Sequence, residues 1–382
     1  MNIAKLTKLH YEEVAKCTRC GFCLPDCPTY AVKRSEVYTA RGRNAITRAV
    51  IENRLELTPD LAKSLFSCLG CGACTVACFP SVKTRDAVWA DRSVLADQKL
   101  HPAIMEKLSE TLNEYYNITQ DDQEERDEWR DYLDDVPEEY LDKEKADIVY
   151  FVGCVASFFP MAQKIPADMA DIMYKAGLDF TILGGEEWCC GFPLIGAGMP
   201  EQAGKLREHN LERVQSAGAK EVMFACPSCF HTWQHLYGGD FKKTHASQLL
   251  ARLVKDGALK FKELNLTVTY HDPCDLGRNS SVYEEPRDVI KAIPGIKFVE
   301  LPKNRAMSVC CGGGGNVEMV DPELSAAIAQ MKVDSILATG ADAVVSSCQQ
   351  CLRTIKTRAT RAGVKNLEVL DLVQLVRMAL ED

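Results

Sequence analysis

The sequence predicts a mixed fold, in which an α-helical N-terminal domain is followed by two duplicated α/β units. Two observations carry this prediction. Two four-cysteine motifs near the N-terminus are separated by a stretch with helical periodicity, and a pattern of five cysteines then occurs twice among alternating β-rich and helical runs. The predicted ranges are 1–110 for the helical domain, 111–147 for an acidic linker, and 148–264 and 265–382 for the two α/β repeats.

The stretch between the two four-cysteine motifs predicts helices. The segment "RGRNAITRAVIENRL" has apolar residues at helical spacing. The segment "TPDLAKSLFSCL" begins with Thr58 as the N-cap and Pro59 at the first helical position, which is a typical helix start. These segments therefore favour a helical domain around the first eight cysteines over a small β-hairpin domain.

The first eight cysteines form two motifs that share the spacing C-x2-C-x2-C-x3-C. This spacing is typical of two-cluster ferredoxins, in which the fourth cysteine of each motif binds the cluster of the other motif. One cubane [4Fe–4S] cluster is predicted at Cys17, Cys20, Cys23 and Cys78, and a second at Cys68, Cys71, Cys74 and Cys27. Zinc ribbons are disfavoured because they use paired C-x2-C knuckles. The second motif departs from the pattern where Phe79 separates Cys78 from Pro80.

The acidic charge of the chain is concentrated in one segment. Residues 121–147 carry 14 Asp and Glu against 4 Lys and Arg, a net charge of -10 in a chain whose total is -9. We interpret this segment as a solvated linker, with partner docking as the alternative. Nucleic-acid binding is not expected, because basic residues are concentrated nowhere in the sequence.

The other ten cysteines form two sets with the same order: one cysteine, then Cys-Cys-Gly, then C-x2-C. The first five-cysteine set is Cys154, Cys189, Cys190, Cys226 and Cys229, and the second is Cys274, Cys310, Cys311, Cys348 and Cys351. Corresponding members are 120 to 122 residues apart, which indicates an internal duplication. Strands that alternate with helices predict largely parallel sheets, with the cysteines at or just past the carboxyl ends of the strands.

Five thiolates in one place exceed the four that a cubane cluster uses. The surplus indicates either a spare thiol or a more open cluster in which one thiolate bridges two irons. Glycine after each cysteine pair would allow a close approach of the backbone to the cluster. The run Gly312–Gly315 lacks both the Lys-Ser/Thr of a P-loop and the G-x-G-x-x-G spacing of a dinucleotide fold, so phosphate binding is disfavoured.

The doubled pattern, from "EEWCCG" to "SVCCGGGGN", resembles the cysteine-rich CCG domain of heterodisulfide reductases. The order of the domains resembles the D-type polypeptide of the membrane-linked enzymes, which corresponds to the C-type and B-type polypeptides fused in one chain. This resemblance implies a noncubane [4Fe–4S] cluster at each five-cysteine set, with the two clusters facing a substrate disulfide. The ten cysteines would then form the catalytic site, supplied with single electrons by the two ferredoxin clusters.

Three functions are considered, and the resemblance implies the first two. The first hypothesis is an oxidoreductase subunit that acts on a small thiol or disulfide within a larger complex. Because flavin and nicotinamide fingerprints are not found in the sequence, a flavoprotein or membrane cytochrome is the expected electron partner. The second is a pure relay between a flavoprotein and quinone or a large reductase, since iron–sulfur subunits of hydroxyacid and glycerol-3-phosphate dehydrogenases and of acyl-CoA reductase complexes share this architecture. The third is an interaction protein stapled by zinc or disulfides.

The sequence shows no membrane span and no signal peptide. No stretch reaches about 18 consecutive apolar residues, and the first 17 residues carry charges throughout. We expect a cytoplasmic protein, with peripheral docking on the inner face of the membrane as the alternative.

Four further side chains are candidates for roles at the clusters. His271, in "HDPC", could donate a hydrogen bond to cluster sulfur or a proton to a leaving thiolate, or be structural. Trp188 is expected to pack over a cluster rather than to relay electrons. Arg41 and Arg43 are expected to be solvated on a helix surface, with charge tuning of a ferredoxin cluster as the alternative.

Overall fold

The computed structural model describes residues 10–381, apart from the side chain of Glu138. These residues divide into two compact units. The helical unit contains the residues up to Glu110, Gly191–Gly204 and Lys303–Val333, and the sheet unit contains Thr111–Cys190, Lys205–Pro302 and the residues from Asp334 onward. The first nine residues and Asp382, which belong to the predicted ranges 1–110 and 265–382, lie outside the described residues.

The helical unit is built from short helices. Its α-helices are Tyr11–Ala15, Pro28–Lys33, Ala40–Ile51, Pro59–Phe66, Ala73–Val76, Thr84–Asp97, Phe192–Ala197 and Val317–Val320, with 3-10 helices at Glu36–Tyr38 and Arg305–Met307. The helices Ala103–Glu114, Ala203–Ser216 and Pro322–Leu337 contain the points at which the chain passes between units. The predicted helix start is confirmed, because the Thr58 side chain accepts a hydrogen bond from the Leu61 N–H and Pro59 is the first helical residue.

The sheet unit contains two parallel sheets of four strands each. The strands are β1 Ile148–Phe151, β2 Phe180–Ile182, β3 Glu221–Phe224, β4 Lys242–His245, β5 Thr267–His271, β6 Lys297–Glu300, β7 Ala343–Ser346 and β8 Glu368–Asp371. The strand orders are β2-β1-β3-β4 and β6-β5-β7-β8, so the two repeats have the same topology. The predicted duplication of parallel α/β units is therefore confirmed in the fold.

Helices and turns connect these strands. The α-helices of the sheet unit are Glu138–Leu141, Cys154–Phe158, Lys164–Lys175, Pro227–Leu236, Ala246–Lys255, Glu285–Ala292, Gln349–Arg361 and Leu372–Ala379, with 3-10 helices at Gln123–Tyr132 and Gly184–Glu186. The central strands β1 and β7 are buried along their whole length, which is why they read as continuous apolar runs in the sequence. Within residues 10–381, the helices are all too short or too polar to cross a membrane.

The acidic segment differs from the solvated linker that its composition predicts. It forms a 3-10 helix, Gln123–Tyr132, which is kinked at Asp127. Arg126 and Trp129 are only 2% and 1% exposed. These two residues lie three apart and therefore on the same side of a helical turn. The segment buries the face that carries Arg126 and Trp129, while its carboxylates give it its net charge. Composition alone does not separate the buried face from the charged residues.

Candidate functional site

Two cavities in the helical unit gather the eight N-terminal cysteines. The lining cysteines of the first cavity are Cys17, Cys20, Cys23, Cys74 and Cys78, and those of the second are Cys27, Cys68, Cys71 and Cys74. Each cavity thus contains the four predicted ligands of one cluster, including the fourth cysteine that comes from the other motif. Cys74 lines both cavities.

Several of these thiols have shifted pKa values. Burial raises the pKa of Cys27 and Cys74, and neighbouring cysteines raise it further. Cys20 is exposed, and a hydrogen bond from the Phe22 backbone lowers its pKa. Crowded thiols that resist ionisation release protons when a metal binds, and each cavity contains the four cysteine sulfurs that one [4Fe–4S] cluster needs.

Arg43 contradicts the prediction of a solvated helix surface. Its side chain is 2% exposed and lines the second cavity, and it donates hydrogen bonds to the Ser64 carbonyl (3.0 Å) and to Ser67 Oγ (2.9 Å). Arg41 lines the first cavity and donates to the Arg19 carbonyl (2.9 Å). Both arginines thus place positive charge at the predicted clusters, because the cysteine loops fold over this helix.

The first five-cysteine set converges within the sheet unit. All five thiols are buried. Cys154 follows β1, and Cys226 and Cys229 follow β3, at the carboxyl ends of neighbouring parallel strands. Hydrogen bonding to Cys189 and burial raise the pKa of Cys154, and contacts with Cys190 and Cys226 raise that of Cys229. The structure therefore brings all five predicted ligands together, and their donor set again fits an iron–sulfur cluster.

Members of the second five-cysteine set lie in both units. Cys274, Cys348 and Cys351 belong to the sheet unit, and Cys310 and Cys311 belong to the helical unit. Cys348 Sγ accepts a hydrogen bond from the Cys351 N–H (3.3 Å) and caps the following helix. In the helical unit, Cys311 Sγ accepts one from the Gly313 N–H (3.5 Å).

His271 is buried at the end of β5, and its carbonyl accepts a hydrogen bond from Ser346 Oγ (3.2 Å). Its role as a hydrogen-bond or proton donor stays a prediction. Trp188 packs between two aromatic rings: Tyr116 and His209 stack on it with ring centroids at 3.7 and 3.6 Å, and its predicted position over a cluster stays a prediction. The Cys189 N–H donates to the Tyr116 carbonyl (2.8 Å), so this stack holds the backbone of the cysteine pair.

The glycine run after Cys311 approaches a loop of the second four-cysteine motif. A Cβ atom on Gly314 would lie 2.7 Å from the Leu69 carbonyl oxygen, and one on Gly315 would lie 2.4 Å from that of Cys68. Gly315 also has a positive φ of 62°. The glycines thus allow close packing of backbone on backbone, next to a predicted ferredoxin ligand.

Arg92 fixes this arrangement inside the helical unit. Its guanidinium is fully buried and lies 4.6 and 4.5 Å from the ring centroids of Phe66 and Trp89. Its acceptors are the carbonyl oxygens of Leu65, Cys68, Gly196 and Gly315, at 2.6 to 3.1 Å. One side chain therefore joins the loop of a cluster motif to the segments that follow both cysteine pairs.

The sequence pattern did not identify two charged residues that lie at the first five-cysteine set. Arg126 donates to Cys154 Sγ, and Glu187 accepts from Arg126 (3.0 Å) and from the Val152 and Gly153 N–H groups (2.7 and 2.8 Å). Glu187 could have been noticed because it stands two residues before Cys189. No local sequence pattern marks Arg126 as a functional residue, since it is one of four basic residues in an acidic segment.

Comparison with known families gives two matches. A "4Fe-4S dicluster domain" profile matches residues 13–82, and a "Cysteine-rich domain" profile, called CCG, matches residues 148–234 and 268–356. The matched ranges contain all eighteen cysteines. The first match contains the cysteines that line the two cavities, and the second contains the cysteines of both repeats.

Curated relatives extend these matches. The D-type polypeptide of dihydromethanophenazine:CoB–CoM heterodisulfide reductase from Methanosarcina barkeri is 34% identical over 91% of this chain and 89% of its own length. A probable iron–sulfur-binding oxidoreductase, FadF, from Bacillus subtilis is 31% identical over 60% of this chain and 34% of its own length. An EtfAB:quinone oxidoreductase from Syntrophomonas wolfei is 31% identical over 55% of this chain and 31% of its own length.

Proposed function

Because the chain belongs to the D-type heterodisulfide reductase family of iron–sulfur proteins, we propose that it is the disulfide-reducing, electron-transferring subunit of a redox complex. The observation that carries the proposal is the convergence of five buried thiols at the carboxyl ends of parallel strands. One cubane [4Fe–4S] cluster usually needs four cysteine ligands. A fifth thiol at the same place favours a site of different geometry.

The proposed cluster sites follow the cysteine groups. Two cubane [4Fe–4S] clusters are assigned to the two cavities of the helical unit, and a noncubane [4Fe–4S] cluster is assigned to each five-cysteine set. When bound, these clusters supply one-electron transfer. Reduction of the substrate takes two electrons, breaks the S–S bond of a small disulfide, and yields two thiolates that take up two protons.

The proposed electron donor is a partner protein, either a flavoprotein or a membrane cytochrome. The first cavity offers the approach for it, because its ligand Cys20 is exposed. Phe22, between two ligands of this cavity, is 67% exposed, and Phe79, directly after Cys78, is 94% exposed. Exposed aromatic side chains are typical of surfaces that bind other proteins.

Anaerobic EPR of the purified chain tests the proposal. The chain is oxidised with ferricyanide, with and without the thiols coenzyme M and coenzyme B. A thiol-dependent paramagnetic signal is expected, since a substrate thiolate would bind at a five-cysteine set. Reduced-cubane signals that are indifferent to thiols would contradict the disulfide-reductase function and support the relay.

The relay is the second candidate function, and the relatives named as FadF and as an EtfAB:quinone oxidoreductase favour it. In this function the same clusters would pass electrons from a flavoprotein to quinone or to a large reductase. The discriminating assay measures heterodisulfide-dependent oxidation of the fully loaded, reduced chain. Absence of turnover would favour the relay.

The metal content gives the first testable prediction. Four [4Fe–4S] clusters amount to about 16 irons per chain, with an equal amount of acid-labile sulfide. Chemical iron and sulfide analysis of anaerobically purified protein measures both. Zinc with little sulfide would instead support an interaction protein without redox function.

Replacement Cys190→Ser should perturb the cluster at the first five-cysteine set and spare both cubane clusters. The reason is that Cys190 contacts Cys229 in the sheet unit, while the cubane ligands line cavities of the helical unit. EPR of the dithionite-reduced variant measures this. The reciprocal control is Cys20→Ser, which should alter a cubane signal alone, and loss of the cubane signals in Cys190→Ser would contradict the assignment.

A further inference from the structure

The first five-cysteine set contains a buried cation that contacts sulfur. Arg126 Nη1 and Nη2 lie 3.8 and 3.5 Å from Cys154 Sγ, and the residue is 2% exposed. Its guanidinium carbon lies 5.3 Å from the centroid of the Phe158 ring. The contact comes from a segment 28 residues earlier in the chain, within the acidic run. Hydrogen bonds from a guanidinium are stronger in such buried surroundings, because the local dielectric is low and water does not compete for the N–H donors.

One carboxylate balances this cation. Glu187 is buried with Arg126 and is held by the Val152 and Gly153 N–H groups, which lie between β1 and Cys154. An arginine guanidinium stays charged inside proteins. That of Arg126 faces both the Glu187 carboxylate (3.0 Å) and the Cys154 sulfur (3.5 Å).

The second repeat uses its buried arginine differently. Arg287 is fully buried, and it donates two hydrogen bonds to Asp272 (2.7 and 2.9 Å) and two to Glu300 (2.7 and 3.0 Å). Two carboxylates therefore oppose its single positive charge. In the first repeat one carboxylate opposes Arg126, and its Nη1 and Nη2 also donate to Cys154 Sγ. The two repeats share their topology but differ in what these two buried arginines contact.

We propose that Arg126 is a positioning residue that raises the reduction potential of the cluster at the first five-cysteine set. A positive charge and hydrogen bonds at cluster sulfur favour the reduced, more negative state, because the potentials of iron–sulfur clusters depend on both. The same hydrogen bonds fix the orientation of Cys154 as a ligand. This inference rests on the cluster assignment of the proposed function, but not on the identity of the substrate.

The test is an EPR-monitored redox titration of the complete, cluster-loaded chain. Arg126→Gln should lower the midpoint potential of the first five-cysteine set so that its reduced-to-oxidised ratio falls at least tenfold at fixed ambient potential, about 59 mV for one electron. Glu187→Gln should shift the same signal in the opposite direction, since it leaves the cation unbalanced. The cubane signals should stay unchanged in both variants.

Arg130→Gln is the matched control, because Arg130 lies on the same 3-10 helix and pairs with Asp127 and Asp142. It should leave all midpoints unchanged. If Arg126→Gln fails to fold, two variants still test the inference. Arg126→Lys keeps the positive charge and should change the reduced-to-oxidised ratio by less than about threefold. Glu187→Gln still tests the direction of the shift in midpoint potential.

Three results would overturn the inference: an unchanged midpoint in Arg126→Gln, shifts of the same sign in the two charge variants, or no cluster at the first set. The thiol-dependent EPR signal is read separately. Its absence with a shifted midpoint would reject the disulfide substrate and keep the role of Arg126.

Discussion

Replacing Arg92 by methionine is expected to destabilise the helical unit by several kcal/mol, since each buried acceptor left without a donor costs about 1–3 kcal/mol. Methionine has a similar length but no donors, so the four carbonyl groups that Arg92 binds would stay buried without their partner. Burial lowers the pKa of Arg92 to about 9, so the side chain is still charged at neutral pH. Chemical unfolding followed by the absorbance of the cubane clusters measures the loss, and iron should be released earlier than in the unchanged chain.

Two controls separate this effect from the loss of any arginine. Arg48→Met removes a partly exposed surface ion pair with Glu52 and should lower the free energy of unfolding by less than about 1 kcal/mol. Arg92→Lys keeps the charge, but a single ammonium cannot reach four carbonyls on separate segments, so an intermediate loss is expected. Equal stability of Arg92→Met and Arg48→Met would show that the buried network contributes nothing.

Replacing Gly315 by alanine is expected to cost roughly 2–5 kcal/mol, from overpacking together with the left-handed backbone. The added Cβ would lie 2.4 Å from the Cys68 carbonyl oxygen, and backbone atoms cannot rotate away as a side chain can. The segment would have to move from the loop that carries Cys68, a predicted cubane ligand. The free energy of unfolding and the EPR line shape of the second cubane cluster should both change.

The matched control is Gly363→Ala. Gly363 also has a positive φ, of 72°, but a Cβ there meets no atom within 4 Å. Gly363→Ala should lower the free energy of unfolding only by the cost of the left-handed backbone, about 1–2 kcal/mol. If Gly315→Ala lost no more stability than Gly363→Ala, the close approach to Cys68 would not be required.

The sequence by itself determined the parts of this protein that depend on neighbours along the chain. The spacing within each four-cysteine motif predicted two ligand groups that exchange Cys27 and Cys78, and the members of each group line a common cavity, although Cys74 lines both cavities. Thr58 and Pro59 marked a helix start, because capping is a local interaction. The repeat of five cysteines predicted two units of one topology, since equal sequences of strands and helices pack alike.

Only the tertiary structure decided where the charges go. Arg126 contacts Cys154 and pairs with a carboxylate 61 residues away, Arg43 is buried under a cysteine loop, and Arg92 binds carbonyls up to 223 residues distant. A buried guanidinium is stable only where several acceptors converge on it, and those acceptors are backbone and side-chain oxygens or sulfurs from remote segments. Composition and periodicity do not indicate such convergence. The sequence alone therefore predicts a solvated surface position for an arginine of this kind.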